Sequence, residues 1–265
     1  MKFIDSHVHM DSIERFSLES MALSGITTLI ADAAPMPGLA PKPESVFDFI
    51  ERNLGYETIR ASEFFIDLYF MVGINMFFVP ADYRRVLEAL PNYFSDKRIV
   101  ALGEIGLEPR SQTCPDMKVQ EEIVKVCFSI AREHNKAVFL HTPVIDREKW
   151  ITKYFKIAEE KKVDPSRVII SHMDYSTIKQ VTEYGCIADI TVQPWRKISA
   201  EYAAKALEGV DLERVIIDSD SSLRFGSDVL SIPKTALEMK RVGFSELEIE
   251  KVLYDNPARI FGLEK

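Results

Sequence analysis

Ile99-Val100-Ala101-Leu102-Gly103-Glu104-Ile105 is followed by an amphipathic run and then by Ala137-Val138-Phe139-Leu140-His141. The run between them, Met117–His134, repeats its apolar residues Val119, Ile123, Val126, Cys127 and Ile130 at helical spacing. A strand, a helix and a second strand in that order imply parallel pairing through a crossover. Outward from this unit the same alternation runs to both ends of the chain. Strands are predicted over residues 2–6, 27–31, 67–74, 99–105, 137–141, 168–172, 187–192 and 215–218. Near the end, Ser245-Glu246-Leu247-Glu248 has the form of a capping box before another helical run. Eight strands in 265 residues predict a closed (β/α)8 TIM barrel forming one domain over residues 1–265, since about 250 residues is usual for that architecture. An open doubly wound sheet is the alternative. No G-x-G-x-x-G or P-loop opens a helix, which weighs against a nucleotide cofactor. The proline-rich stretch 35–43 reads as a loop after the second strand rather than a domain boundary.

With 33 basic and 41 acidic side chains, the formal net charge is 33 − 41 = −8, and 46% of residues are hydrophobic. That composition excludes a disordered tail, a collagen-like fibre and a membrane protein. An acidic chain is not expected to coat nucleic acid, although a single pocket can still attract phosphate. Cys114, Cys127 and Cys186 form no C-x-x-C pair, so neither a disulfide framework nor a zinc ribbon is expected. Charge arrives at once in Met1-Lys2-Phe3-Ile4-Asp5, and no apolar run approaches the roughly 18 residues of a membrane span. A reducing cytoplasm is the expected location.

The histidines carry the chemistry. Four of five fall at the C-terminal ends of predicted strands: His7 and His9 after the first, His141 after the fifth, His172 after the sixth. Residues two apart on a strand face the same side, so His7 and His9 both project into the mouth of a barrel, where such folds place their active sites. Glu104 near the end of strand four and Asp218 and Asp220 near the end of strand eight add carboxylates to the ring. A lone strand-end histidine is ordinarily structural. Four of them with carboxylates are hard to explain as packing, because buried charged groups need partners. Imidazole and carboxylate together suit Zn²⁺, Mn²⁺ or a related divalent ion. Glu104 has two oxygens and could bridge a pair of ions about 3.5–4 Å apart, which would lower the pKa of a shared water towards about 7. His134 lacks this placement and reads as a surface residue.

Phe3-Ile4-Asp5-Ser6-His7-Val8-His9-Met10-Asp11 resembles the opening of the TatD-like metal-dependent hydrolases of the amidohydrolase superfamily. So do Val72-Gly73-Ile74, Ala101-Leu102-Gly103-Glu104-Ile105-Gly106-Leu107, the Gln120 helix leading to Phe139-Leu140-His141, and Asn256-Pro257-Ala258-Arg259-Ile260-Phe261-Gly262-Leu263. The resemblance implies a TIM barrel with two divalent ions, zinc first and manganese or magnesium next. It implies His7, His9 and Glu104 as ligands of one ion and Glu104, His141 and His172 as ligands of the other. Asp218-Ser219-Asp220 matches the family's E-T-D segment, so Asp220 inherits the last ligand position and the task of taking a proton from the attacking water; Asp218 is the fallback. Glu104 and Asp220 are thus the implied catalytic pair. Loops depart from the family pattern at Asn75-Met76-Phe77-Phe78, Thr142-Pro143, His172-Met173-Asp174-Tyr175 and Ser221-Ser222.

Two ions supply +4 against −2 from Glu104 and Asp220, which favours an anionic substrate. Arg110, Arg147, Arg196 and Arg224 follow strand ends, and arginine suits bidentate phosphate contact; Arg110, Arg196 and Arg224 are the candidates for substrate binding. Trp195 either stacks on a base or, the favoured reading, covers the barrel end. The leading expectation is metal-dependent phosphodiester hydrolysis of nucleic-acid ends or a small phosphoester. The alternative is C–N or C–O hydrolysis of an amide or lactone at the same site, and a metal-binding scaffold without catalysis is the non-enzymatic reading. Metal identity and oligomeric state stay open.

Overall fold

The computed structural model describes residues 1–35, 42–109, 111–222 and 227–263. Its strands are β1 (Phe3–Val8), β2 (Ile26–Asp32), β3 (Asp67–Val72), β4 (Ile99–Gly106), β5 (Ala137–His141), β6 (Val168–Ile170), β7 (Ile187–Thr191) and β8 (Val215–Asp218). Each pairs in parallel with the next in one eight-stranded sheet. The ends of the sheet meet. Val8 bridges to Ser221, the His9 amide donates to the Ser221 carbonyl at 2.9 Å, and the Ser219 amide donates to Asp5 Oδ1 at 3.0 Å. With helices between the strands, this is the (β/α)8 barrel the alternation predicts, and the open-sheet alternative falls.

Local chemistry sets the element ends. The helix Met117–His134 begins where Asp116 Oδ1 accepts from the amides of Lys118 and Val119, and it ends on Asn135 with φ 52°. The capping box at Ser245 and Glu248 forms as its pattern predicts. The sixth strand is shorter than predicted, ending at Ile170 instead of residue 172, because the chain turns through a left-handed conformation at His172 (φ 68°). Of the proline-rich stretch 35–43, residues 36–41 lie outside the described residues, and Pro43 opens the helix Pro43–Arg52.

Inside the barrel the side chains lie in three layers. The lowest is apolar, with Ile4, Ile30, Met71, Ala101, Phe139, Ile169, Ile187 and Ile216 packed on Ala258, Ile260 and Phe261 of the helix Asn256–Phe261. That helix plugs the bottom of the barrel, tied there by Asn256 Nδ2 donating to the carbonyls of Leu212 and Val215. Above it lies a layer of buried acids and hydroxyls: Asp5, Ser171, Asp189, Thr191, Asp218 and Ser219. The top layer, at the C-terminal ends of the strands, holds the histidines. Period two puts alternate strand residues on the barrel side, as in Phe139-His141 and Ile187-Asp189-Thr191.

Candidate metal centre

His7 and His9 leave the end of β1, Asp32 ends β2, Glu104 lies near the end of β4, His141 ends β5 and His172 follows β6. Two adjoining groups result. Nitrogen and oxygen atoms of His7, His9, Asp32 and Glu104 lie within 4.8 Å of one another, as do those of Glu104, His141 and His172. Glu104 belongs to both. Its Oε1 is 3.2 Å from His141 Nδ1 and 3.4 Å from His172 Nε2, and Asn75 Nδ2 donates to its Oε2 at 3.3 Å. Close backbone packing holds it there: a Cβ on Gly103 would lie 2.7 Å from Phe139 Cβ, and one on Gly106 only 2.5 Å from the His141 carbonyl oxygen.

The donor set fits a metal. Both ring nitrogens of His7 are buried without a hydrogen-bond partner, and so are His9 Nδ1 and Asp32 Oδ2. Such groups are costly to orphan inside a protein, and a divalent cation would take one ring nitrogen from each imidazole together with the Asp32 oxygen. The acidic layer orients the ligands from below. Thr191 Oγ1 donates to Asp218 Oδ2 at 3.1 Å and is 2.7 Å from His172 Nδ1, so it accepts the Nδ1 proton and leaves the Nε2 lone pair facing Glu104 and His141. His141 has the same arrangement on its outer side, with Nε2 3.4 Å from Glu108 Oε2. A carboxylate or hydroxyl behind a ligating imidazole fixes its tautomer and raises its basicity.

The electrostatics follow from burial and from these pairs. Burial lowers the His7 pKa to about 4, and burial with the Lys197 charge lowers His172 to about 3. Burial also opposes charge on His9, but its hydrogen bond to Asp220 and the surrounding carboxylates outweigh that and raise it to about 9. His141 is likewise raised to about 9, against the pull of burial, by Glu104 and Glu108. Although burial pushes both upward, the imidazoles of His7, His141 and His172 hold Glu104, and Lys197 with His9 and His7 holds Asp220, well below the usual carboxylate range. Asp5, by contrast, is pushed up to about 8 by burial.

Asp220 (φ 44°) reaches this level, its Oδ1 3.2 Å from His9 Nε2 and its Oδ2 accepting from Lys197 Nζ at 2.6 Å. It stands outside the two groups above. Asp218 sits one layer down. Arg147 is paired with Asp174, which braces the loops after β5 and β6 against each other. Arg196 is exposed on the loop after β7. Arg110 and Arg224 lie outside the described residues. Trp195 is 68% exposed on the loop after β7. His134 is exposed, its ring against Phe94. Reasoning from sequence missed Asp32, Glu108 and Lys197. Asp32 carried a usable signal, a carboxylate closing an apolar strand at the same level as the histidines. Lys197 carried none, because its position depends on the turn after β7.

A family model described as TatD related DNase matches residues 4–262. The chain belongs to the TatD family of metal-dependent hydrolases. A relative named as an uncharacterized metal-dependent hydrolase, from Methanocaldococcus jannaschii, is 27% identical over 260 residues, covering 98% of this chain and 100% of the relative. Among solved structures, a TatD-like protein of Archaeoglobus fulgidus aligns with a TM-score of 0.80 at 23% identity, covering 98% of this chain and 100% of that one. A β-aspartyl dipeptidase of Fervidobacterium islandicum shares the fold more distantly, with a TM-score of 0.70 at 19% identity over 99% of this chain and 74% of its own. Among the described residues, no helix is long and apolar enough to cross a membrane.

Proposed function

We propose that this TatD-family chain is a zinc-dependent phosphodiesterase that acts on nucleic-acid ends or small phosphoesters in a reducing cytoplasm. The observation that carries the reading is Glu104, shared between two adjoining ligand groups at the open end of the barrel. Two divalent ions there contribute +4 and Lys197 +1. Against these stand −3 from Asp32, Glu104 and Asp220, so the centre carries about +2 towards an anionic substrate. Manganese or magnesium suits the carboxylates as well, and zinc is preferred for the four imidazoles. The overall charge of −8 argues against coating of nucleic acid, so binding rests on the mouth alone.

Ions held by His7, His9, Asp32, Glu104, His141 and His172 would supply Lewis acidity, for polarising a phosphoryl oxygen and for acidifying a water at neutral pH. The chain's own residues do the rest. Glu104, held as a carboxylate, keeps the two ligand groups in one geometry. Asp220, ionised and half-facing the mouth, accepts the proton of the attacking water. Asp218, Thr191 and Glu108 hold His172 and His141 in the tautomers that present their lone pairs inward.

One observation favours a second reading, hydrolysis of an amide or lactone. The loops after β5, β6 and β7 expose Val144, Ile145, Tyr175 and Trp195, an apolar rim that suits an uncharged acyl group as well as it suits a stacked base. The test is hydrolysis of bis-p-nitrophenyl phosphate and single-stranded DNA beside a panel of lactones, esters and a β-aspartyl dipeptide. Phosphodiester cleavage supports the proposal; turnover of carbonyl substrates alone replaces it with the second reading.

A further inference from the structure

Among the described residues, Lys197 is a feature of the centre that neither the ligand pattern nor the barrel layers explain. Its backbone is tightly held. The Lys197 amide donates to the Gln193 carbonyl at 2.8 Å, Gln193 Nε2 donates to the Asp220 carbonyl at 3.1 Å, and Val192 bridges to Ile198. The side chain therefore starts from a fixed point beside Asp220 and keeps only its flexible four-carbon stem. Its Nζ lies 2.6 Å from Asp220 Oδ2 and against the His172 ring, 3.0 Å from Nδ1 and 3.3 Å from Nε2, and the side chain is 20% exposed.

We propose that Lys197 is the ligand of the substrate's phosphoryl oxyanion; the choice of a phosphoester rests on the function proposed above, whereas the oxyanion role does not. The ammonium and a bound cation compete for the same partners. Asp220 and the His172 imidazole hold the ammonium, and the same two side chains face the ligand cluster. A cation taken up by that cluster claims the same imidazole and the same carboxylate charge, and it repels the ammonium besides. Lys197 is then left with donors to spare and a positive charge only partly met by Asp220, on a partly exposed stem at the mouth. An oxyanion bound there supplies both acceptor and charge. A compact ammonium suits a tetrahedral phosphoryl group, which presents oxygens in several directions and does not demand a planar fork. Arg147, spoken for by Asp174, does not stand in this position.

The experiment uses the full chain reloaded with zinc, as wild type, Lys197→Met and Lys197→Arg. Metal per chain is read by plasma mass spectrometry, affinity for inorganic phosphate by calorimetry, and KM and kcat on bis-p-nitrophenyl phosphate. The expected result is undiminished metal content in Lys197→Met, phosphate binding weakened by about tenfold or more, a raised KM, and partial recovery of both in Lys197→Arg. Equal phosphate affinity in Lys197→Met overturns the proposal. So does loss of metal from that variant, which would make Lys197 part of the centre's assembly. Wild type that binds phosphate through Lys197 yet hydrolyses only carbonyl substrates would keep the oxyanion role and overturn the phosphoester reading. A phosphodiesterase whose phosphate affinity ignores Lys197 would do the reverse.

Discussion

Glu104 is where the two ligand groups meet, and its substitution separates them. Glu104→Gln keeps the volume but removes the charge and half the acceptor capacity facing His141 and His172. Metal affinity is predicted to fall by more than the roughly 10–100-fold that loss of an outer hydrogen-bond partner costs. Equilibrium dialysis with metal analysis reads it, and unchanged metal content would remove Glu104 from its bridging place. The two strand-eight acids make a second test. Asp220 touches His9 and faces the mouth, whereas Asp218 supports Thr191 from below. Asp220→Asn is predicted to lower kcat by about 10²–10⁴-fold with the fold intact. If Asp218→Asn alone had that effect while Asp220→Asn were silent, the proton-accepting role would belong to the lower layer.

At the scale of elements, what could be read from sequence depended on period. Phe139 and His141 follow each other by two on β5, and the face they share is visible in the pattern. The helix Met117–His134 is equally legible, from apolar spacing within and Asp116 and Asn135 at its ends. His172 and Asp220 were found by their position beyond a strand, yet both arrive through left-handed backbone that no alternation encodes. Strict period two would have aimed Ser171, not His172, into the barrel. Lys197 lay beyond reach because its neighbours come from three separate loops. The loop after β4 shows how an element supports the site. Gln120, buried in the helix Met117–His134, accepts from the Glu108 amide at 2.7 Å and donates to the carbonyls of Glu108 and Pro115. Gln120→Ala strands those groups and is predicted to cost about 1–3 kcal/mol of stability. Denaturant unfolding reads that loss, and metal affinity should weaken with it because Glu108 backs His141. A variant as stable as wild type would show that the loop needs no such clamp.

For the whole molecule, the layered barrel places a polar cluster above an acidic layer and an apolar plug, and this gives the metal-free protein a particular pH dependence. His9 and His141 are raised to about 9 from an ordinary 6.5, and Asp5 and Asp32 to about 8 and 7 from 3.8. Each binds its proton more tightly when folded. The stability each contributes is complete below its unfolded value and is lost as pH climbs through its folded one. His7 and His172, lowered to about 4 and 3, are neutral in both states above about pH 6.5 and add no slope there. Chelated protein is therefore predicted to melt at falling temperature from pH 6.5 to 9, while metal affinity rises over the same window as His9 and His141 give up their protons. A flat melting profile in chelated protein would contradict the charge arrangement described.

The same architecture makes turnover depend on the ions, since the orphaned nitrogens of His7 and the shared carboxylate of Glu104 have no other evident purpose at the mouth of a barrel. The most direct measurement is hydrolysis of bis-p-nitrophenyl phosphate by chelated protein, before and after zinc, manganese or magnesium is restored. Activity absent after chelation and recovered with metal, in wild type but not in Glu104→Gln, is the predicted result. Undiminished phosphodiester cleavage by the chelated chain, or none after full reloading, would contradict it.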